Sequence, residues 1–187
     1  MKDKNAILQL SCQFFYQHGF HNSGVETLAA NANISKRTLY KYFPNKEMLI
    51  EASLNYRHDN FMQLLTSFLA DYDPTQTHIG YLEFLKRWLL SDNFFGCMFI
   101  NACAEFSEQG NPFYQQAFFH KQQILQLLTQ RFNEAKLRNA DVLAKSLFLQ
   151  GEGMIVAKQT GIIGDNIDEY IYLIHESLKA LSNNNLP

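Results

Sequence analysis

The chain has 187 residues, 47% of them apolar and 18% charged, which supplies a substantial core and excludes a natively extended chain. Four prolines and nine glycines are too few for a turn-rich β fold and favour long helices. The net charge of −2 conceals a gradient, because residues 1–50 hold six Lys or Arg against three acids and the remainder ten against fifteen. A basic first quarter on an acidic body predicts an anionic partner at one end only.

Residues 3–18 read as a helix, with Ile7, Leu10, Phe14 and Phe15 on one stripe and Gly19 as its stop. Ser23 and Glu26 have capping-box spacing and are expected to open a second helix to about Ala32. Asn33 falls where a left-handed turn residue is needed. Ser35 is expected to cap a third helix ending near Tyr42, before Pro44. Asn45 then caps a fourth helix from Lys46 to about Ala70. Asp73-Pro74 breaks the chain before a helix at about 76–91, and further helices are expected at about 98–108, 113–137, 140–159 and 167–182. No period-two alternation is long enough for a strand. The expectation is an all-α protein of about nine helices.

Helices two and three, joined by a tight turn, form a helix-turn-helix whose second helix fits the DNA major groove. Leu39 and Phe43, four residues apart, are its inward positions. Lys36, Arg37, Thr38, Tyr40, Lys41 and Tyr42 then lie on or near the outer face, with Ser35 at their N-terminal edge. Arg can pair with guanine, Thr can meet a thymine methyl, and Lys or Tyr can bond phosphate. Lys36 and Arg37 stand at a helix N-terminus, where positive charge is locally unfavourable. A duplex brought to that end supplies the missing negative charge. Lys46 repeats the arrangement in the first turn of helix four, beside free N–H groups suited to a phosphate.

The stretch from Gly19 to Leu49 resembles the DNA-binding region of the TetR family of transcriptional regulators (TetR/AcrR-like). The resemblance covers residues 5–52 and includes the L-Y-x-Y-F-x-x-K-E-x-L pattern at Leu39, Tyr40, Tyr42, Phe43, Lys46, Glu47 and Leu49. Two positions depart from the family: Ala32-Asn33-Ile34 replaces the usual A-G-V, and Arg37 stands where a small residue is common. The resemblance implies base-facing or groove-facing roles for Lys36, Arg37, Thr38 and Tyr40. It implies phosphate contacts for Tyr42 and Lys46 and a backbone contact for Ser23. It further implies a helix-turn-helix domain over 1–46 and a ligand-binding and dimerisation domain over 47–187. The chain would then be a homodimeric repressor on a palindromic double-stranded operator, released by a small-molecule effector.

The second part is rich in aromatic residues, which suits an apolar or aromatic effector. Phe61, Phe84, Trp88, Phe99 and Phe118 are candidates for the pocket wall, and Asn101, Glu105 and Gln122 for its polar anchors. Leu147, Gly151 and Met154 on helix eight, and Ile171, Ile174 and Leu178 on helix nine, are candidates for the dimer interface. Gly151 and Gly153 lie inside a helix, where glycine costs about 1 kcal/mol against alanine unless another helix approaches closely. Gly96-Cys97 opens helix six, so a thiolate at Cys97 would be stabilised and could sense oxidants or electrophiles. A second alternative is a helical small-molecule binding protein with no DNA partner. Cys12, Cys97 and Cys103 are odd in number and lack metal or redox spacing. No signal peptide, no apolar run of eighteen residues and no catalytic motif is found. The sequence thus predicts a cytoplasmic protein that is not an enzyme, with no cofactor, no metal and no membrane partner.

Overall fold

A computed structural model describes residues 3–183. Among the described residues the chain forms nine α-helices and one 3₁₀ turn, with no strand. The helices are α1 Lys4–His18, α2 Val25–Asn31, α3 Lys36–Tyr42, α4 Lys46–Ala70, α5 Thr77–Leu89, α6 Met98–Glu105, α7 Pro112–Glu134, α8 Ala140–Gln159 and α9 Ile167–Asn183; the 3₁₀ turn is Pro74–Gln76.

Local chemistry sets most of these boundaries. Asp3 caps α1 by accepting from the Ala6 N–H at 2.8 Å. Gly19 ends it at φ +78°, donating its N–H to the Phe15 carbonyl. Asn33 takes the left-handed turn at φ +51°. Ser35 and Asn45 act as caps, accepting from the Thr38 N–H at 3.0 Å and the Met48 N–H at 2.8 Å. The expected capping box of α2 does not form. Gly24 is the N-cap, Ser23 is buried with its hydroxyl donating to the Gly19 carbonyl at 2.5 Å, and Glu26 turns towards Lys36. Helix α6 is three residues shorter than its pattern predicts, ending at Glu105.

Two compact units emerge. The first comprises residues up to Phe61 together with Cys97–His120, and the second comprises Met62–Gly96 with the chain from Lys121 onward. The expected division at residue 46 thus differs from the compact units, which part within α4 and α7 and place α6 with the helix-turn-helix. The reason is aromatic. Phe15 meets Phe20 at 5.4 Å between ring centroids, Phe20 meets Phe106 at 5.7 Å, and Phe106 meets Phe113 at 4.7 Å. Such pairs contribute about 0.5–1.5 kcal/mol each beyond burial, so this chain of rings carries the α1 core into α6 and α7.

In the second unit α5 packs on α8 and α9, with Tyr81, Leu82, Leu85 and Leu89 turned inward. The residues nominated for a dimer interface belong to this internal packing. Leu147, Gly151, Met154, Ile171, Ile174 and Leu178 are all buried within the subunit itself. A Cβ at Gly151 would lie 2.8 Å from the Tyr81 ring and 3.0 Å from Leu85, so the close approach that glycine permits is to α5 of the same chain.

Candidate nucleic-acid interface

The outer face of the helix-turn-helix is built on three buried anchors. Leu28 of α2 and Leu39 and Phe43 of the α3 segment are buried, which turns the remaining side chains of α3 outward. Ser35, Lys36, Arg37, Tyr40 and Lys41 are exposed, and Thr38, Tyr42 and Lys46 are half-buried. The Thr38 hydroxyl bonds the Ser35 hydroxyl at 2.8 Å. Lys36 and Lys41 lie over the rings of Tyr40 and Tyr42 at 5.8 and 5.9 Å from their centroids. The seven-residue helix therefore presents a contiguous strip of cations and phenols.

The unfavourable charge at its N-terminus is resolved unequally. Lys36 forms an ion pair with Glu26, ten residues earlier on α2. The Lys36 bond holds the Glu26 carboxyl below its usual range and raises the lysine in return. Arg37 has no ion pair among the described residues. The sequence hid this because Glu26 and Lys36 are brought together only by the turn at Asn33.

Lys46 donates to the His21 carbonyl at 3.4 Å, so its ammonium stands beside the α1–α2 connection. Ser23 is placed differently from the expectation: its buried hydroxyl is spent on Gly19, and a phosphate contact there requires exchanging that bond. The α1–α2 connection is also held from α6. Glu105 accepts from the Phe20 N–H at 2.9 Å and from the His21 N–H at 2.6 Å, which occupies a carboxylate nominated as a ligand anchor. Nothing local in the sequence signals this contact, which spans 84 residues.

Similarity to known proteins agrees with this geometry. The family profile described as "Bacterial regulatory proteins, tetR family" matches residues 7–53, which run from α1 through the caps at Ser35 and Asn45 into α4. Residues 7–53 thus form a TetR-family DNA-binding domain. The HTH-type transcriptional regulator RutR of Escherichia coli (strain K12) is 39% identical over 71 residues, covering 38% of this chain and 34% of RutR. The match thus spans about a third of the length of the curated relatives first found. Its fold is shared along nearly its whole length with SCO4454, a TetR-family regulator from Streptomyces coelicolor, at a TM-score of 0.87 and 20% identity, covering 96% and 95% of the two chains. A CifR cysteine mutant, solved in complex with a 26-base-pair double-strand operator DNA, superposes at a TM-score of 0.77 and 17% identity, covering 96% and 97%.

The other nominated residues fall into both units. Phe61, Phe99, Asn101, Glu105 and Phe118 belong to the first, and Phe84, Trp88 and Gln122 to the second. Phe99 stacks on buried His120 at 3.7 Å and Phe61 meets the same ring edge-on at 5.1 Å, so both act as core. Phe118 is exposed. Phe84 packs on Phe68 and Trp88 on Phe94. Gln122 lines a wide groove of about 790 Å³ along α7 and α8. Cys97 is the N-cap residue of α6 and is buried. Among the described residues no cluster of three or more His, Cys, Asp or Glu is placed to hold a metal ion, and no helix is long and apolar enough to cross a membrane.

Proposed function

We propose that the protein is a transcriptional repressor that binds a palindromic operator as a homodimer and releases it when a small apolar or aromatic effector binds the second unit. The observation that carries the DNA-binding reading is the outer face of α3, where Arg37 stands exposed and, among the described residues, without an ion pair, beside Lys36, Thr38 and Tyr40. A recognition helix inserted by its N-terminal residues would bring those side chains to base edges. Tyr42, Lys41 and Lys46 flank it as phosphate partners.

Dimerisation is supported by a surface distinct from the buried stripe. Val142, Leu149 and Val156 are exposed at seven-residue spacing along α8, which keeps them on one face with a drift of about 20° per step. Gly153 lies on the same side, and a Cβ there would meet nothing within 4 Å. A second copy packed on this face, together with exposed Tyr172 and Leu173 of α9, would explain large apolar residues left in solvent. Two-fold symmetry would match the two halves of a palindrome.

The test is binding of the purified chain to the DNA upstream of its own gene, measured across a salt series. Specific binding whose logarithm falls linearly with log salt supports the reading, since each neutralised phosphate releases counterions. Failure to prefer that DNA over an unrelated duplex, with the chain folded, would leave a helical small-molecule binder with no DNA partner.

A further inference from the structure

A second cavity in the molecule has a chemistry of its own. It lies in the second unit, where the start of α5, the end of α7, the start of α8 and the last turns of α9 converge, and its volume is about 210 Å³. Its apolar wall includes Phe132, Leu143 and Leu178, all buried. Its polar side carries His78, His175 and Lys179, and among the described residues no carboxylate lines it. The two hydroxyls at its edge are already committed: Thr75 donates to Asp73 at 2.7 Å and Ser182 to the Leu178 carbonyl at 3.0 Å. Recognition of a ligand's polar end therefore falls to three basic groups.

Those groups are gathered closely. The rings of His78 and His175 meet edge-on at 5.3 Å between centroids. Lys179 lies one helical turn after His175 on α9. The acids near them are outside the cavity wall: Glu176 holds Lys179 at 2.6 Å, and Glu83 acts on His175 from α5. Burial lowers both histidines first. For His78 the neighbouring His175 and then Lys179 lower it further, and for His175 Lys179 does so against the opposing pull of Glu176 and Glu83. An anion in the cavity beside both rings offsets the mutual repulsion and can accept N–H bonds from them.

Size sets the rest of the ligand. An apolar cavity of about 150 Å³ accommodates benzene, so 210 Å³ leaves space for one ring and a small polar group. We propose that this cavity binds a single-ring aromatic carboxylate, with its ring against Phe132, Leu143 and Leu178 and its carboxylate facing the basic wall of His78, His175 and Lys179. The inference does not rest on the DNA-binding reading, and its test contains no DNA.

The experiment is calorimetric titration of the full chain with benzoate and with benzamide, which has a similar shape and no charge. Saturable benzoate binding is expected, with benzamide at least about tenfold weaker and the H78Q/H175Q variant losing about tenfold in benzoate affinity. Benzoate should also bind more tightly at about pH 6 than at about pH 8, because the charged imidazoles that face it are populated only on the acid side. The L143W variant fills the cavity and should abolish binding, with its fold checked by circular dichroism. If it misfolds, the benzamide comparison and H78Q/H175Q still decide. Equal affinity for benzoate and benzamide, undiminished binding in H78Q/H175Q, or no saturable binding of benzoate overturns the proposal.

Discussion

Glu105 holds His21 by two groups at once, accepting from its backbone N–H at 2.6 Å and facing its ring Nδ1 at 2.8 Å. The other carboxylate oxygen accepts from the Phe20 N–H at 2.9 Å. Gly19 is part of the same arrangement: at φ +78° it carries the chain past the carboxylate, and a Cβ there would lie 2.8 Å from Glu105 Oε1. The last residue of α6 thus satisfies backbone donors that follow α1, in the unit that carries the recognition helix.

Removing this carboxylate should be costly. Glu105→Ala leaves the Phe20 and His21 N–H groups without their charged acceptor, and hydrogen bonds to charged groups contribute about 1.5–3 kcal/mol each before partial replacement by water. We expect a loss of about 2 kcal/mol in urea unfolding, and roughly half of that for Glu105→Gln, which keeps one acceptor. An alanine variant within about 0.5 kcal/mol of wild type would show that solvent replaces the carboxylate fully.

Removal of the acidic charge on α2 should act on DNA binding in the opposite direction from loss of Arg37. Glu26→Gln releases Lys36 and removes an acid beside the groove-facing strip, so binding to upstream DNA should tighten and its salt dependence steepen. Arg37→Ala should weaken specific binding by about tenfold or more while leaving weak non-specific binding in place. Fluorescence anisotropy with specific and unrelated duplexes separates the two effects. If Glu26→Gln weakens binding with its fold unchanged, the Glu26–Lys36 pair positions the lysine on DNA and does not withhold it.

Two glycines on α8, two residues apart, should behave differently. Gly151→Ala drives a methyl into Tyr81 and Leu85, and overpacking of a full core costs about 1–3 kcal/mol, more than the roughly 1 kcal/mol of helix propensity that alanine returns. Gly153→Ala meets open space within the subunit and should stabilise the isolated chain. On the proposed dimer face the same methyl separates the two copies, and Leu149→Glu places a charge there. Sedimentation should show both face variants shifted towards monomer, with Gly151→Ala lowering the melting temperature instead. A Leu149→Glu chain that stays dimeric would move the interface off this face.

Thiol chemistry should be muted. Burial pushes the Cys12 thiol up to about 11, partly opposed by Arg57, and its Sγ lies 3.5 Å from the Ser53 carbonyl. At about pH 8 only about one Cys12 in a thousand is thiolate. Cys97, the residue nominated as a sensor, is also buried. Native-state alkylation should therefore modify half-buried Cys103 first. Loss of oxidant-driven operator release in Cys97→Ser would instead assign the switch to Cys97.

What was legible in the sequence is what depends on neighbours along the chain. Ser35, Asn45, Gly19 and Asn33 announced the caps and turns because each acts on residues within four positions. Leu39 and Phe43 were legible as anchors from their spacing. The ion pair of Glu26 with Lys36 and the hold of Glu105 on His21 were not, because a turn and a tertiary fold bring those groups together. Gly151 illustrates the boundary between the two. Its presence inside a helix signalled close approach, but the pattern could not say whether the approaching residue belonged to the same chain, and Tyr81 answers that.

Stability should fall on the acid side of neutrality because three histidines are held below their ordinary range. Burial is the first cause for His58, His78 and His175; Asp59 opposes it at His58, and the neighbouring His175 and Lys179 reinforce it at His78. His58 also faces His120 of the same unit, Nδ1 to Nδ1 at 3.1 Å, a bond that needs one donor and one acceptor. Charging both rings would set two N–H donors against each other. In the unfolded chain these rings take up protons near pH 6.5, and in the folded chain only at lower pH. Between those values the unfolded state binds more protons, so stability rises with pH there. The melting temperature should accordingly be flat above about pH 7 and decline as the pH falls below about 6.5. Replacing the three histidines by glutamine should flatten that decline, most of it above the pH at which carboxylates begin to titrate. A triple variant that loses stability over the same interval as steeply as wild type would place the acid sensitivity elsewhere.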